Sequence, residues 1–354
     1  MKNQIFTILT IVMTVSSNLL AQKVDLDRYS FLCGGMYVLP TEPLPEDFKT
    51  YNVRVTSGGT AGLSRNTIED EINLGGWRRI SEREKAHLTF NLRINNLIIS
   101  KSDITERKEE KKDSKGALVS TKFFYRINYQ YSLDASYKIN DFTGKSYSLP
   151  LIIGLIGTFA TEEFPTSTAA LNYKNDNASS LRDKFTNELA TKFTNDISKS
   201  ATAKWGLSVA PANDHFWMMD SKKHPEHDSM QVMAKFMKSQ FPIYRASMTT
   251  TEFEEMMQPF IIYMKNLPNK YKTDEKGDKK LRYSAYYNLA KLYWYLDNPD
   301  TSDKYASLLI RNDYDTGDGE SFIKDNARLR EMFKKAKIYK RHLVFDTSTF
   351  EGPK

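Results

Sequence analysis

The sequence predicts an α+β protein of more than one domain, with a β-rich, sandwich-like N-terminal region and an α-helical region after it. Two observations carry that reading. From residue 25 to about 147, apolar and polar residues alternate and aromatic or β-branched residues predominate, the signature of half-buried strands. From residue 177 onward, apolar residues recur every three or four positions, the helical period. A third observation, at the N-terminus, concerns where the chain works.

The chain opens M-K-N-Q, runs through an 11-residue apolar stretch at 5–15 and reaches Ala21 in S-S-N-L-L-A-Q. A basic start, a short apolar run and a small residue at the cleavage point predict a signal peptide over 1–21, cut between Ala21 and Gln22. That run is shorter than the roughly 20 residues a membrane helix needs. The 12-residue run at 149–160, interrupted by Gly154 and Gly157, is also too short. No transmembrane segment is therefore expected in the mature chain. The expected location is exported: periplasmic, peripheral to an outer membrane, or secreted. Removing 21 of the 354 residues leaves 333, enough for two or three domains. The 51 basic and 44 acidic side chains are interspersed, which argues against nucleic-acid binding. With Cys33 alone, no intramolecular disulfide can form, and a buried thiol is expected.

In the β-rich region, Y-N-V-R-V (51–55), L-T-F-N-L-R-I (88–94) and F-F-Y-R-I-N-Y-Q-Y (123–131) read as strands. The glycine pair of I-N-L-G-G-W-R-R-I (72–80) marks a bulge or turn. The run E-R-K-E-E-K-K-D-S-K-G (106–116) has no apolar residue and reads as a solvated loop. T-G-K-S (143–146) matches the end of a phosphate-binding loop, but Ile139 stands where G-x-x-x-x-G-K-[ST] needs its first glycine. An extended approach, the turn-favouring Asn140 and Asp141, and Pro150 too early for a helix predict a β-hairpin here instead.

The helical region begins with N-A-S-S-L-R-D-K-F-T-N-E-L-A-T-K-F-T-N-D-I (177–197), where Leu181, Phe185, Leu189, Phe193 and Ile197 form one stripe. A second helix is expected at 228–239 with Asp228 as its cap. A third follows the capping box T-E-F-E (251–254), where Pro259 marks either a kink or the true start. K-Y-K-T-D-E-K-G-D-K-K (270–280) reads as a loop. The stretch 283–310 then gives two helices broken at Asn298-Pro299, with Tyr286, Leu289, Tyr293 and Leu296 on one face of the first. A last helix places Phe322, Leu329, Phe333 and Ala336 together.

Residues 283–312 resemble a tetratricopeptide unit: Leu289, Ala290 and Tyr293 match its first helix, Ser302 and Ala306 its second. Asp297 stands where the family has glycine, and Ala306 where a bulkier residue is common. The resemblance implies a helical hairpin and a protein-docking surface. The leader ending L-L-A-Q, the Tyr/Asn/Lys-rich chain and the single cysteine resemble exported proteins of the Bacteroidota type, which implies an envelope location. The expected division is 1–21 (signal), 22–150 (β-rich), 151–270 (helical or mixed), 281–340 (hairpin plus helix) and a 341–354 tail.

Of the five histidines, His87 and His342 lack a local partner, while D-H-F-W-M-M-D-S-K-K-H-P-E-H-D (214–228) concentrates the rest among carboxylates. Imidazoles and carboxylates ligate zinc, so Asp214, His215, Asp220, His224 and His227 form a candidate metal set. Pro225 within His224-x-x-His227 favours an irregular turn, and solvated-loop chemistry is the alternative. Neither H-E-x-x-H nor G-x-S-x-G occurs, and no cofactor is implied. Tyrosine and tryptophan offer apolar area with a polar end. Trp77, Trp217, Tyr287, Trp294 and Tyr295 are accordingly the candidate interaction residues, with glycan stacking on Trp77 or Trp217 a further reading. The leading expectation is a non-enzymatic interaction protein or accessory subunit of an envelope complex, with a protein partner. The alternative is an envelope-polymer hydrolase or metal-binding enzyme using 214–228.

Overall fold

The computed structural model describes residues 24–58, 65–150 and 154–354. The expected signal peptide and residues 151–153 of the apolar run lie outside the described residues. The architecture is mixed α+β, β-rich toward the N-terminus and helical toward the C-terminus. The chain divides into two compact units: residues up to Leu39 with Ser208–Phe345, and Pro40–Leu207 with Asp346–Lys354. The linear division expected at 150 and 270 is corrected accordingly. Its cause is long-range: strand β1 (Leu26–Val38) pairs with a strand that begins at Ser208.

The second unit is built on a six-stranded sheet in the order β3-β2-β4-β5-β6, with β7 also paired to β5. Its strands are β2 (Thr50–Ser57), β3 (Arg78–Arg79), β4 (Leu88–Lys112), β5 (Leu118–Asp141), β6 (Ser146–Tyr147) and β7 (Ile156–Ala160). The short helix α1 (Arg65–Glu71) stands in the crossover that makes β2 parallel to β4. Helices α2 (Ser167–Asp176) and α3 (Ala178–Trp205) follow. The predicted stripe of α3 is buried on one sheet face with Phe90, Leu92, Tyr129 and Tyr131, and the Tyr131 and Phe185 rings stack at 4.0 Å. Full burial of one such side chain contributes about 1.5–3 kcal/mol. On the opposite face Arg93, Asp134, Ser136 and Lys138 are exposed. Among the described residues this is one sheet under a helical layer, which corrects the sandwich expectation: α3 supplies the second layer.

The charged run 106–116 is corrected too. It lies in a continuous hairpin whose antiparallel register reaches Lys112↔Leu118. With its residues exposed, no alternation is needed; the backbone ladder holds the strands, helped by Arg107–Glu163 at the base and Asp113 at the turn. At 141–147 the expected hairpin is present: Ile139 pairs with Tyr147, and Gly144 adopts φ +91°. That left-handed value favours glycine.

The first unit pairs β1 with β8 (Ser208–Met219), antiparallel, with a bulge between Cys33 and Met36. Around this ribbon pack α4 (His227–Gln240), α5 (Thr250–Met256), α6 (Gln258–Lys270), α7 (Lys276–Tyr295), α8 (Pro299–Arg311) and α9 (Thr316–Ala336). Phe31 and buried Cys33 share a core with Phe216, Phe241, Phe260 and Leu289, which is why β1 belongs here. Two helix starts differ from expectation: Glu226, rather than Asp228, occupies the α4 cap position, and Thr249 Oγ1, rather than a Thr251 box, accepts the Glu252 N–H to cap α5. Pro259 lies in the first turn of α6, so of the two readings it marks a true start and not a kink. Helix α7 already begins at Lys276, so the loop expected over 270–280 shrinks to 271–275.

Asp297 takes the left-handed φ of +53° that the turn after α7 requires. Its buried carboxylate accepts Arg341 Nε–H at 2.6 Å, and His342 Nδ1 lies 3.3 Å away. His342 stacks on Tyr244 at 3.8 Å, and Tyr37 N–H donates to the Arg341 carbonyl. The expected 341–354 tail is thus fastened into the first unit at its start. Its end returns to the second unit, where Arg78 donates to the Phe350 carbonyl at 2.9 Å. Among the described residues no helix is long and apolar enough to cross a membrane.

Candidate functional site

Helical spacing assembles the one site that gathers several of the sequence candidates. On α7, Tyr287, Lys291 and Trp294 follow one another at steps of four and three. On α9, Asp318, Ser321, Phe322 and Asp325 repeat the pattern, so each helix offers one face. With Asp214 of β8 these residues line a cavity of about 180 Å³ within the first unit.

The strand is fixed first. Asn288 and Ser284, both fully buried on α7, bind the backbone of Trp217, and Ser284 Oγ donates to its carbonyl at 2.6 Å. That register turns Asp214 toward α7, where it pairs with Lys291 and its Oδ2 accepts Tyr295 Oη–H at 3.2 Å. Burial pulls the Lys291 ammonium below the usual lysine range, against the opposing attraction of Asp214. Lys291 Nζ also lies 4.9 Å from the Tyr287 ring centroid. Tyr283 Oη donates to Asp318, and burial followed by that carboxylate pushes the Tyr283 phenol well above its ordinary value. Phe322 meets Tyr287 edge-on at 5.1 Å. The buried Trp294 indole N–H has no partner among the described residues.

Three carboxylates and one ammonium line this aromatic-walled cavity, a formal excess of two negative charges. Such a lining suits a cation: carboxylates supply charge-assisted acceptors, and ring faces attract a desolvated ammonium or guanidinium by about 0.5–2 kcal/mol. The side chains exposed on α9, Ser321 and Asp325, give the cavity its solvent-facing rim.

Asp214, Tyr287 and Trp294 therefore line the cavity directly. His215 and Trp217 stand beside it, with the His215 ring 6.0 Å from Tyr287 and 5.5 Å from Trp217. Burial, then the Lys291 charge, lowers the His215 pKa and favours the neutral ring. Tyr295 is a core residue whose hydroxyl supports Asp214. Trp77 lies in the other unit, where its Nε1–H donates to the Trp205 carbonyl at 3.1 Å.

The expected metal set does not assemble. Asp220 is exposed, and its N–H donates to the Asp25 carbonyl. His224 Nδ1 accepts the Glu226 N–H, and His227 Nδ1 lies 2.8 Å from Asp228. Among the described residues no three His, Cys, Asp or Glu side chains are placed to hold a metal ion. Glu226 is the buried centre of that region, accepting from Tyr263 at 2.8 Å, Tyr271 at 3.0 Å and Lys270.

Sequence reasoning missed Lys291, Asp318, Ser321, Phe322 and Asp325. The available signal was two helices, each with polar and aromatic residues repeating along one face, but nothing local says that those faces meet. No protein-family model matches the chain, and no curated protein matches it.

Proposed function

We propose that the first unit is a non-catalytic recognition module that receives a cationic group, the ammonium or guanidinium of a partner protein's side chain, in the cavity between α7 and α9. The observation that carries this reading is the excess of carboxylates inside an aromatic wall. The tetratricopeptide-like pairing of α7 with α8 supports it: Ser302 Oγ donates to the Ala290 carbonyl at 2.8 Å, bringing the small faces of the two helices together as in protein-docking hairpins. The leader-like N-terminus supports an envelope setting for this recognition, with the chain as an accessory subunit.

Titration with agmatine, a simple guanidinium probe, followed by tryptophan fluorescence, tests the reading. Saturable quenching is expected, with Asp318→Asn and Asp325→Asn each weakening binding several-fold and the double variant more. Equal response in the parent and the double variant overturns it.

A further inference from the structure

Beyond the cavity, the most unusual surface is the distal end of the β4–β5 hairpin in the second unit. Sixteen consecutive residues, 105–120, are all exposed. At about 3.3 Å per residue the paired segment past Tyr125 extends roughly 25 Å. Yet its end is not wholly polar: Leu118, Val119 and Phe123 are 56%, 61% and 42% exposed. Register explains the grouping. Tyr125, Phe123 and Leu118 pair with Glu106, Lys108 and Lys112, and alternate positions share a face. That face is continuous with the core face through Ile127↔Ile104. An apolar line thus runs out of the core along an uncovered arm.

Charge divides along the same arm. Toward its base Arg107 is held by Glu163 and Glu109, and Lys108 by Glu110. At its end stand Lys111, Lys112 and Lys115, which make no ion pair among the described residues. The one acid there, Asp113, is engaged by the turn: its Oδ1 accepts the Lys115 and Ala117 N–H groups at 2.9 and 2.8 Å. Lysines alone would be the ordinary protection of an exposed strand edge. Protection does not account for three exposed apolar side chains beside them.

We propose that this hairpin end docks the protein onto an anionic lipid surface, its lysines against the headgroups and Leu118, Val119 and Phe123 in the apolar boundary. Weak apolar insertion combined with a small basic cluster is the two-part arrangement by which peripheral proteins hold a membrane. The positive, unpaired end favours anionic lipid over a protein partner, which would need complementary acids and an apolar cleft together.

Co-sedimentation of the full chain with vesicles tests this, using equal parts phosphatidylglycerol and phosphatidylcholine against phosphatidylcholine alone. Variants are compared in the same chain, so any contribution of the N-terminal apolar run cancels. The parent is expected to prefer the anionic vesicles, less so at high salt. Lys111→Gln/Lys112→Gln/Lys115→Gln is expected to lower partitioning about a hundredfold, and Leu118→Ser/Val119→Ser/Phe123→Ser at least tenfold. Because every substituted side chain is exposed, unchanged circular dichroism should accompany the loss. Equal binding to both vesicle types, or variants that bind like the parent, overturns the proposal. So does capture of a protein through this end without vesicle binding.

Discussion

Asn288 holds Trp217 by both of its backbone groups: Oδ1 accepts the Trp217 N–H at 2.9 Å, and the amide donates to the Trp217 carbonyl at 2.8 Å. One helix side chain thus stands where a third strand would lie against β8, whose ladder partner is β1. Replacing Asn288 with Leu leaves the Trp217 N–H without its partner and the carbonyl with Ser284 Oγ alone. A loss of about 1–3 kcal/mol is expected, read as a lower urea midpoint with an unchanged slope.

The Asp214–Lys291 pair predicts non-additivity. Lys291→Met leaves Asp214 beside a hydrophobic neighbour without its cation, and about 1–3 kcal/mol should be lost, less than for a wholly enclosed charge because Asp214 keeps 26% exposure. Adding Asp214→Asn should restore much of that loss, and a double-mutant cycle by thermal denaturation measures the coupling.

Acid should loosen the α4–α6 region through Glu226. Burial pushes this carboxyl up, but hydrogen bonds from Lys270, Tyr263 and Tyr271 outweigh it and hold the folded value below the ordinary 4.5. A lowered folded value means the stabilisation is fully present above the unfolded pKa and disappears as pH falls through the folded one. Stability should therefore drop below about pH 4.5, and Glu226→Gln should flatten that limb while lowering stability at neutral pH. Urea midpoints across acid pH read both effects.

Much of the fold was legible where local pattern and burial coincide. The stripe of α3 and the hairpin at Gly144 follow from residue spacing and turn chemistry alone. The arm at 106–116 was not, because a strand wet on both faces has no apolar alternation to display. Nor was β1's place with the helices, since Phe31 and Cys33 meet their partners Phe216 and Tyr244 only after Pro40–Leu207 of the second unit has intervened. The site was half legible for the same reason: Asp214, Tyr287 and Trp294 stand out as residues, but Asp318 and Asp325 acquire meaning only when α9 lies against α7.

Gly319 predicts how tightly that wall is set. A Cβ there would come within 2.8 Å of the Ala306 carbonyl oxygen and 2.6 Å of the Ile310 side chain. Gly319→Ala gains helix propensity of about 1 kcal/mol, but overpacking costs about 1–3 kcal/mol. A modest net loss of thermal stability and weaker agmatine quenching are expected together, because the displaced turn carries Asp318.

The pairing of Val38 with Ser208 spans 208 minus 38, or 170 residues, and this imposes an order on biosynthesis. At 5–20 residues per second, roughly 10–30 seconds separate the two strands' emergence from the ribosome. Throughout that interval β1 has no ladder partner, while β2 to α3 emerge in turn and are complete as sequence only by its end. The last residues close both units, Arg341 on Asp297 and Phe350 on Arg78. A chain truncated before Arg341 would lack both closures and leave the buried Asp297 carboxylate without its guanidinium partner.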